Sequence, residues 1–164
     1  MDEYLDIVDD NDSVIGTKTR DEIYTKGLSN FRVVNLFIKN SKGELWLPFR
    51  TKNKKSYPEC WDVSMGGHVD SGETYEEALI RETEEELNLD LKTIPYSLLA
   101  TLTPKDGVAA FMKVYETKLE EAPNFNPDDF SEGQWFKPQV FLEMIESGEK
   151  AKGDLPKLVK KFYV

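Results

Sequence analysis

The chain has 164 residues, of which 39% are hydrophobic and 32% charged, a composition typical of a folded globular domain rather than a disordered segment. Its formal net charge is −10 and no Lys/Arg-rich stripe interrupts it, which disfavours polymeric nucleic acid and anionic membranes as partners. No apolar run approaches the length that a membrane span requires. We therefore expect a cytoplasmic protein, and the single Cys60, which cannot form an intramolecular disulfide, is consistent with that location.

The first thirty residues predict an N-terminal β-hairpin followed by a short helix. The segments YLDIVD and SVIGTKT flank a turn at residues 10–12, and RDEIYTKG can form a helix that ends at Gly27. A second hairpin is predicted from RVVNLFIKN and GELWLPFR, which are joined across residues 41–43. A polar loop at residues 51–58 and a glycine-rich loop at Gly66–Gly67 follow it.

The second half of the chain predicts strands and helices in alternation. A helix over residues 74–88 is followed by the strands SLLATLTP, VAAFMKVYET and EGQWF, and then by the helices PQVFLEMIESG and LPKLVKKFYV. Pro138 near the start of the first terminal helix and Gly148 past its end are typical helix boundaries. With no repeat and no long linker, residues 1–164 predict a single mixed α/β domain with a mixed central sheet.

The helix predicted over residues 74–88 is unusually acidic. Between Glu73 and Asp90 the chain has eight acidic side chains and one basic one. A helical arrangement places Leu79, Ile80, Thr83 and Leu87 on an arc that can pack against the sheet. Glu82, Glu85 and Glu86 lie on another arc, and Glu77 with Arg81 is the only compensating pair that the spacing predicts.

Two interpretations of the acidic arc are open on spacing alone. The first is an ordinary solvated surface, although like charges at this spacing destabilise a helix by about 0.2–0.5 kcal/mol per pair. The second is a site for Mg²⁺, which prefers oxygen ligands and is held by few carboxylates together with substrate phosphates. In the second interpretation, Gly66 and Gly67 would let the backbone come close to the cation, because glycine has no Cβ.

The stretch resembles the signature of the Nudix hydrolase family, G-x5-E-x7-R-E-U-x-E-E-x-G-U, in which U is an aliphatic residue. The positions that match are Gly67, Glu73, Arg81, Glu82, Glu85, Glu86 and Leu89. Thr83 replaces an aliphatic residue, and Asn88 replaces a glycine at a place where asparagine is the next best residue for a left-handed helix end. Neither departure affects a charged position.

This resemblance implies a Mg²⁺-dependent hydrolase of a diphosphate linkage, with Mn²⁺ as the other cation it would accept, built as an α/β/α sandwich with the box loop and helix at residues 66–89. Glu82, Glu85, Glu86 and the carbonyl of Gly66 would be the metal ligands, and one glutamate would activate the attacking water. Glu73 and Arg81 would form the pair that supports the loop. The residues that would contact substrate are Arg50, Gly67, His68 and Glu132, the last as a downstream acid in EGQWF, unless it is an exposed loop residue.

The first ninety residues also resemble the branch of the family that contains the isopentenyl-diphosphate isomerases. Trp61 and His68 match that branch, but Gly66 stands where the isomerases have an essential cysteine. Hydrolysis is therefore the expected activity, and a nucleoside diphosphate or a derivative of one is the substrate we expect, although the residues do not select the attached group. A prenyl diphosphate as substrate, an isomerase, and a nucleotide-binding protein without turnover are the alternatives, and a homodimer is expected by analogy with relatives. Cys60 with His68 is not expected to act as a nucleophile and base, since this region is acidic.

Overall fold

The computed structural model describes residues 2–164, which form eight β-strands, four α-helices and one short 3-10 helix. The strands are β1 (Tyr4–Val8), β2 (Val14–Thr19), β3 (Arg32–Lys39), β4 (Leu45–Arg50), β5 (Met65–His68), β6 (Tyr96–Leu102), β7 (Phe111–Lys118) and β8 (Phe130–Phe136). The helices are α1 (Arg20–Thr25), α2 (Tyr75–Leu87), α3 (Pro138–Glu146) and α4 (Leu155–Tyr163), and the 3-10 helix is Pro104–Asp106. None of the helices in this part of the chain is long and apolar enough to cross a membrane.

The central sheet is mixed. Its order is β6-β7-β3-β4-β8, and β5 pairs with β3 outside that path. Strands β3 and β7 run parallel, whereas the other neighbours are antiparallel. Strands β1 and β2 form a separate two-stranded antiparallel hairpin, as the turn at residues 10–12 predicts.

Helices cover both faces of the sheet, so the predicted α/β/α sandwich is confirmed. Alternation along β3 sends Leu36 and Ile38 to the face that α2 covers and Phe37 to the opposite face. Leu79 of α2 packs in the first of these two cores, and Leu158 of α4 packs in the second. Successive side chains of the central strand therefore feed two separate hydrophobic layers.

Both ends of α2 are fixed by local hydrogen bonds. The side chain of Thr74 accepts a hydrogen bond from the N–H of Glu77, and the Glu77 carboxylate accepts one from the N–H of Thr74. At the other end Asn88 has a φ of 53°, the left-handed conformation that its place in the signature predicts. The predicted Glu77–Arg81 pair is wrong, because Glu77 belongs to this cap and Arg81 turns to other partners.

The predicted glycine-rich loop at Gly66–Gly67 is also wrong, because both residues lie in strand β5. Gly66 pairs with Asn35 and Gly67 with Val34 of β3. Strand β5 begins at Met65, whose side chain is buried. The strand pairs with β3 even though two of its four residues are glycines, which are poor strand formers. Glycine is required at Gly67 because the Glu82 side chain packs against it: a Cβ at this position would lie 2.5 Å from that side chain.

A second close approach at a glycine gives a test of the core. Gly133 of β8 lies where an added Cβ would be 2.2 Å from the ring of Trp46, which is fully buried. We expect Gly133→Ala to lower the free energy of unfolding by about 1–3 kcal/mol, because the indole cannot move without disturbing its neighbours. Urea denaturation measures the change.

The matched control is Gly16→Ala in β2, where no atom lies within 4 Å of the added Cβ. This variant should unfold within about 0.5 kcal/mol of the wild type. If Gly133→Ala were as stable as Gly16→Ala, the packing of Trp46 against β8 would not be as described.

Candidate active site

A cavity of about 600 Å³ lies at the edge of the sandwich, within the usual range for small-molecule sites. Strand β5 and helix α2 form one side of it, and the loops before β8 and α4 form another. The predicted site residues that line it are Arg50, Gly66, Gly67, His68, Glu82, Glu85 and Glu86. One end of the cavity is therefore strongly acidic.

Arg81 ties the acidic helix to the strand before it. Its Nε and Nη2 donate to the two carboxylate oxygens of Glu73 at 2.7 and 2.8 Å, and Nη2 also donates to the carbonyl of His68 at 3.2 Å. The hydrogen bonds with Glu73 raise the pKa of the guanidinium, which stays charged. The structure thus brings Glu73 and Arg81 together as the resemblance implies, and the pair holds β5 against α2.

The three glutamates of the acidic arc differ in their surroundings. The side chain of Glu82 is 16% exposed and that of Glu85 is 59% exposed, whereas Glu86 is 9% exposed as a whole residue. Burial raises the pKa of Glu82 to about 7, and burial together with the negative charges of Glu82 and Asp62 raises the pKa of Glu86 well above its usual range. These are not the surroundings of a solvated helix face.

The expected convergence of Glu82, Glu85 and Glu86 on one point is not formed in this structure. Across residues 2–164, no group of three or more His, Cys, Asp or Glu side chains is arranged to hold a metal ion. Arg81 explains the difference, because its Nη1 donates to Glu82 at 3.0 Å and to Glu85 at 3.5 Å. Glu85 stays at the rim of the cavity, and Glu82 and Glu86 are the two that lie inside it.

The residues nevertheless fit a divalent cation. Within the described chain, Oε2 of Glu86 is buried and has no hydrogen-bond partner, which is a costly state for a carboxylate. Asp62 and Asp129 add negative charge nearby, and each raises the pKa of Glu86 further. Oxygen donors crowded in this way are the ligands that Mg²⁺ prefers. Gly67 leaves Glu82 room to lie against β5.

Arg50 lines the cavity, but its guanidinium is bound by the protein itself. It donates to the carboxylate of buried Asp62 at 2.8 Å and to the carbonyls of Ser56 and Tyr57 at 2.9 and 3.1 Å. These bonds fold the loop of residues 51–58 over the end of β4. Few of its donors are left for a phosphate in this arrangement, and the contact of Arg50 with substrate stays a prediction.

Asp129 lines the cavity, whereas Glu132 is exposed on β8, opposite Phe49, and does not line it. Strand β8 begins at Phe130, so the acid just before the strand is Asp129. The contact of Glu132 with substrate stays a prediction, and Asp129 is a second candidate for the downstream acid. The N–H of Asn126 donates to the carbonyl of Glu86 at 2.7 Å, so the loop that carries Asp129 is docked on the end of α2.

Two lysines from separate loops, Lys54 and Lys152, also face the acidic end of the cavity. The sequence alone does not predict either of them individually as a site residue. Nζ of Lys54 donates to Asp129 at 2.6 Å, and Nζ of Lys152 lies 3.8 Å from the carboxylate of Asp62. Both lysines line the cavity. The only signal in the sequence is that Lys54 belongs to a lysine-rich loop in an acidic protein.

His68 connects β5 to the N-terminal segment. Its Nε2 lies 2.8 Å from the hydroxyl of Tyr24 and its Nδ1 lies 3.4 Å from a carboxylate oxygen of Glu3. The hydrogen bond with His68 lowers the pKa of Glu3. His68 thus lines the cavity, as predicted, while its two ring nitrogens face protein groups.

Comparison of the sequence with protein-family models identifies the family of this chain. The model of the NUDIX domain matches residues 29–157. The chain belongs to the Nudix family. Nudix hydrolases act on diphosphate-containing substrates.

Similar proteins agree with this assignment. An uncharacterized Nudix hydrolase of Nostoc sp. is 58% identical over 162 residues, which cover 98% of this chain and 96% of that protein. The crystal structure of a Deinococcus radiodurans protein matches with 44% identity and a TM-score of 0.93, over 99% of this chain and 100% of that one. An isopentenyl-diphosphate Delta-isomerase of Photorhabdus laumondii is 30% identical over 138 residues, 82% of this chain and 77% of that enzyme. The Nudix-type fold is therefore confirmed.

The buried carboxylates of the Nudix helix predict an unusual pH dependence of stability. A carboxyl whose pKa is higher in the folded state binds its proton more tightly there, so the free energy of unfolding falls as pH rises from about 4 through the raised pKa. In a chelating buffer we expect Glu86→Gln to be more stable than the wild type at about pH 8, and the difference to vanish at about pH 4. Urea unfolding at the two pH values measures it.

Glu84→Gln is the matched control, because Glu84 is an exposed glutamate of the same helix. Its free energy of unfolding should show no comparable increase over the wild type at the higher pH. A Glu86→Gln variant that is less stable than the wild type at the higher pH would contradict the uncompensated burial of this carboxylate.

Proposed function

We propose that this Nudix protein is a Mg²⁺-dependent hydrolase that cleaves the diphosphate linkage of a nucleoside diphosphate or of a derivative of one. The observation that carries the proposal is the buried Glu86 oxygen that lacks a hydrogen-bond partner among residues 2–164, beside the half-buried Glu82 in a cavity large enough for such a substrate. A divalent cation at this position would balance two carboxylates that the protein leaves without sufficient positive charge.

Glu82, Glu86 and the carbonyl of Gly66 are the groups we propose as ligands of Mg²⁺ or Mn²⁺, with Glu85 joining from the rim. Bound there, the cation would neutralise phosphate oxygens and lower the pKa of a water molecule. The chain supplies the geometry: Arg81 fixes the position of Glu82, and Gly67 leaves space for it. A carboxylate within hydrogen-bond reach of the attacking water accepts its proton.

Lys54 and Lys152 are suited to bind the phosphate groups of the substrate. Each already faces a carboxylate of the cavity, Asp129 and Asp62 respectively, and each side chain is partly exposed to the cavity's solvent. A lysine ammonium is a flexible point charge that can turn from a carboxylate to a phosphate oxygen. The pair would hold the leaving phosphate while water attacks the other phosphorus atom.

An isomerase of isopentenyl diphosphate is the second candidate, and the relative in Photorhabdus laumondii favours it. The site of this chain does not. Gly66 occupies the cysteine position, and a Cβ there would lie 2.9 Å from Oδ1 of Asn35 and 3.0 Å from Cγ1 of Val63. Cys60 is buried and does not line the cavity, so it cannot replace the missing thiol.

Substitution of the buried glutamates tests the proposed reaction. Glu82→Gln and Glu86→Gln should each lower turnover of nucleoside diphosphates by at least about 100-fold, because a neutral amide is a poor ligand and no base. Release of monophosphate products in the presence of Mg²⁺ is the measurement, with isopentenyl diphosphate in the same panel. Exposed Glu84→Gln is the control and should keep wild-type rates.

Near wild-type rates in both buried-site variants would contradict the proposed roles. A shifted double bond in isopentenyl diphosphate would favour the isomerase instead. Tight binding of nucleotides without product would favour the third alternative, a binding protein without turnover.

A second pair of substitutions separates Asp129 from Glu132. Asp129 lies in the cavity beside Glu86, whereas Glu132 is exposed outside it. We expect Asp129→Asn to lower kcat by about 10- to 1000-fold, since loss of a carboxylate near the reacting water removes either a ligand or a base. Glu132→Gln should remain near the wild type. The reverse order in a steady-state assay would restore the sequence-based assignment.

The single-domain organisation, a homodimer and a cytoplasmic location stay predictions. The cytoplasmic location accords with the acidic composition and the single cysteine. Sedimentation of the purified protein would decide the oligomeric state.

A further inference from the structure

The N-terminal segment completes the cavity although it lies outside the family match. The NUDIX model begins at residue 29, yet Glu3, Arg20, Tyr24 and Leu28 line the cavity wall. We refer to residues 2–28 as the extension. A part of the chain outside the family match therefore contributes one side of the cavity.

The extension is firmly attached to the Nudix core. Leu5 and Ile23 are fully buried in a third hydrophobic cluster that includes Phe31. Asp6 accepts hydrogen bonds from the hydroxyl of Ser71 at 2.8 Å and from the N–H of Gly72 at 3.1 Å, just before α2. The wall that it forms is therefore a fixed part of the cavity rather than a loose terminus.

Three rings meet where the extension contacts β5. The ring centroids of Tyr24, Phe31 and His68 lie 5.7, 5.8 and 5.9 Å apart, distances at which aromatic groups attract one another. Phe31 is only 4% exposed, but Tyr24 is 54% exposed and lines the cavity. The guanidinium of Arg20 lies over the Tyr24 ring at 5.5 Å. We refer to these four side chains as the ring cluster.

The ring cluster begins one residue from the acidic end of the cavity. Gly67 contacts Glu82, and the next residue, His68, belongs to the ring cluster while its carbonyl is held by Arg81. The ring cluster and the carboxylates therefore line the same cavity and are connected along β5. The ring cluster is thus within reach of the group attached to a diphosphate that is bound at the carboxylates.

The chemistry of this end favours a flat heterocycle over an aliphatic chain. An exposed phenol ring and a planar guanidinium both stack on aromatic rings. The carboxylate of Glu3 and the guanidinium of Arg20 also face the cavity, and a prenyl chain would remove them from water without offering hydrogen bonds. A nucleobase offers both a ring face and polar edges.

We propose that the ring cluster is a nucleobase subsite and that Tyr24 and Arg20, both from the extension, determine which diphosphates this protein accepts. The proposal deepens the proposed function, on which it rests for the position of the diphosphate. It assigns a specificity role to residues that the family match does not include.

Direct binding tests the subsite independently of hydrolysis. The probes are the four common ribonucleoside 5′-monophosphates, titrated calorimetrically into the protein with Mg²⁺, since these compounds contain no diphosphate linkage to cleave. Tyr24→Ala should weaken the best-bound monophosphate by about 10-fold or more, the amount that one stacked base contributes. Tyr24→Phe keeps the ring and should bind within about 3-fold of the wild type.

Arg20→Gln is the second variant, because its side chain is partly exposed and its loss leaves the buried core intact. It should weaken the same monophosphate. Tyr4→Ala is the matched control: Tyr4 is an exposed tyrosine of the extension that does not line the cavity, and its loss should leave affinity unchanged. Far-ultraviolet circular dichroism checks that each variant is folded.

The steady-state arm compares nucleoside diphosphate with isopentenyl diphosphate and inorganic pyrophosphate. Tyr24→Ala should raise KM for the nucleoside diphosphate, whereas Tyr4→Ala should leave it unchanged. If the wild type hydrolyses nothing, the proposed function fails, and the calorimetric difference between Tyr24→Ala and Tyr4→Ala still decides the subsite. Three results would overturn the proposed subsite. The first is equal affinity of Tyr24→Ala and Tyr4→Ala for the monophosphate, and the second is the absence of monophosphate binding by the wild type. The third is tighter binding of isopentenyl diphosphate than of nucleotides, provided that this binding requires Tyr24.

Discussion

The organisation of the site depends on the burial of negative charge that the nearby basic side chains do not fully neutralise. Glu86 is buried with one carboxylate oxygen that no group in the described chain binds, and Asp62 and Asp129 lie near enough to raise its pKa. The rise in the pKa of Glu82 to about 7 alone corresponds to a cost on the order of 3 kcal/mol above that pH. This exceeds the repulsion between charges on a solvated helix several-fold. A fold that carries such a cost gains from a divalent cation at that point.

The rest of the local structure serves to keep these carboxylates in place. Arg81 binds Glu73, the carbonyl of His68 and Glu82, so a single guanidinium connects the turn before α2, strand β5 and the acidic helix. Gly67 permits the close approach of strand and helix that a side chain would prevent. On the far side, Asn126 docks the loop before β8 on the end of α2. Each connection approaches the same end of the cavity from a different element.

Much of the fold could be predicted from the sequence because its periodicity and its helix boundaries are strong. The capping threonine and the left-handed Asn88 define α2 locally, and the hairpin of β3 and β4 follows from alternation around a short turn. The glycines of strand β5 resemble a loop unless the helix that packs on them is known. Helical spacing alone pairs Arg81 with Glu77, whereas the tertiary structure gives it Glu73 from outside the helix.

The site residues divide in the same way. The family signature identifies Glu82, Glu85 and Glu86 as site residues, because it specifies a glutamate at each of these positions. It could not show that Arg81 donates to Glu85, that Arg50 is bound by Asp62, or that Asp129 lines the cavity while Glu132 does not. These depend on where loops dock, and loop positions are set by contacts distant in sequence. The contribution of Tyr24 to the cavity is of this kind, because nothing in its local sequence relates it to residues forty positions later.

We propose that Glu82 and Glu86 hold a divalent cation. The most direct test of this proposal is anomalous diffraction from a crystal of the protein soaked in Mn²⁺. We predict an anomalous peak about 2.0–2.3 Å from carboxylate oxygens of Glu82 and Glu86, with the Glu82–Arg81 contact lengthened to allow it. A peak confined to the solvated surface of the protein, with Glu86 left as it is, would contradict the account.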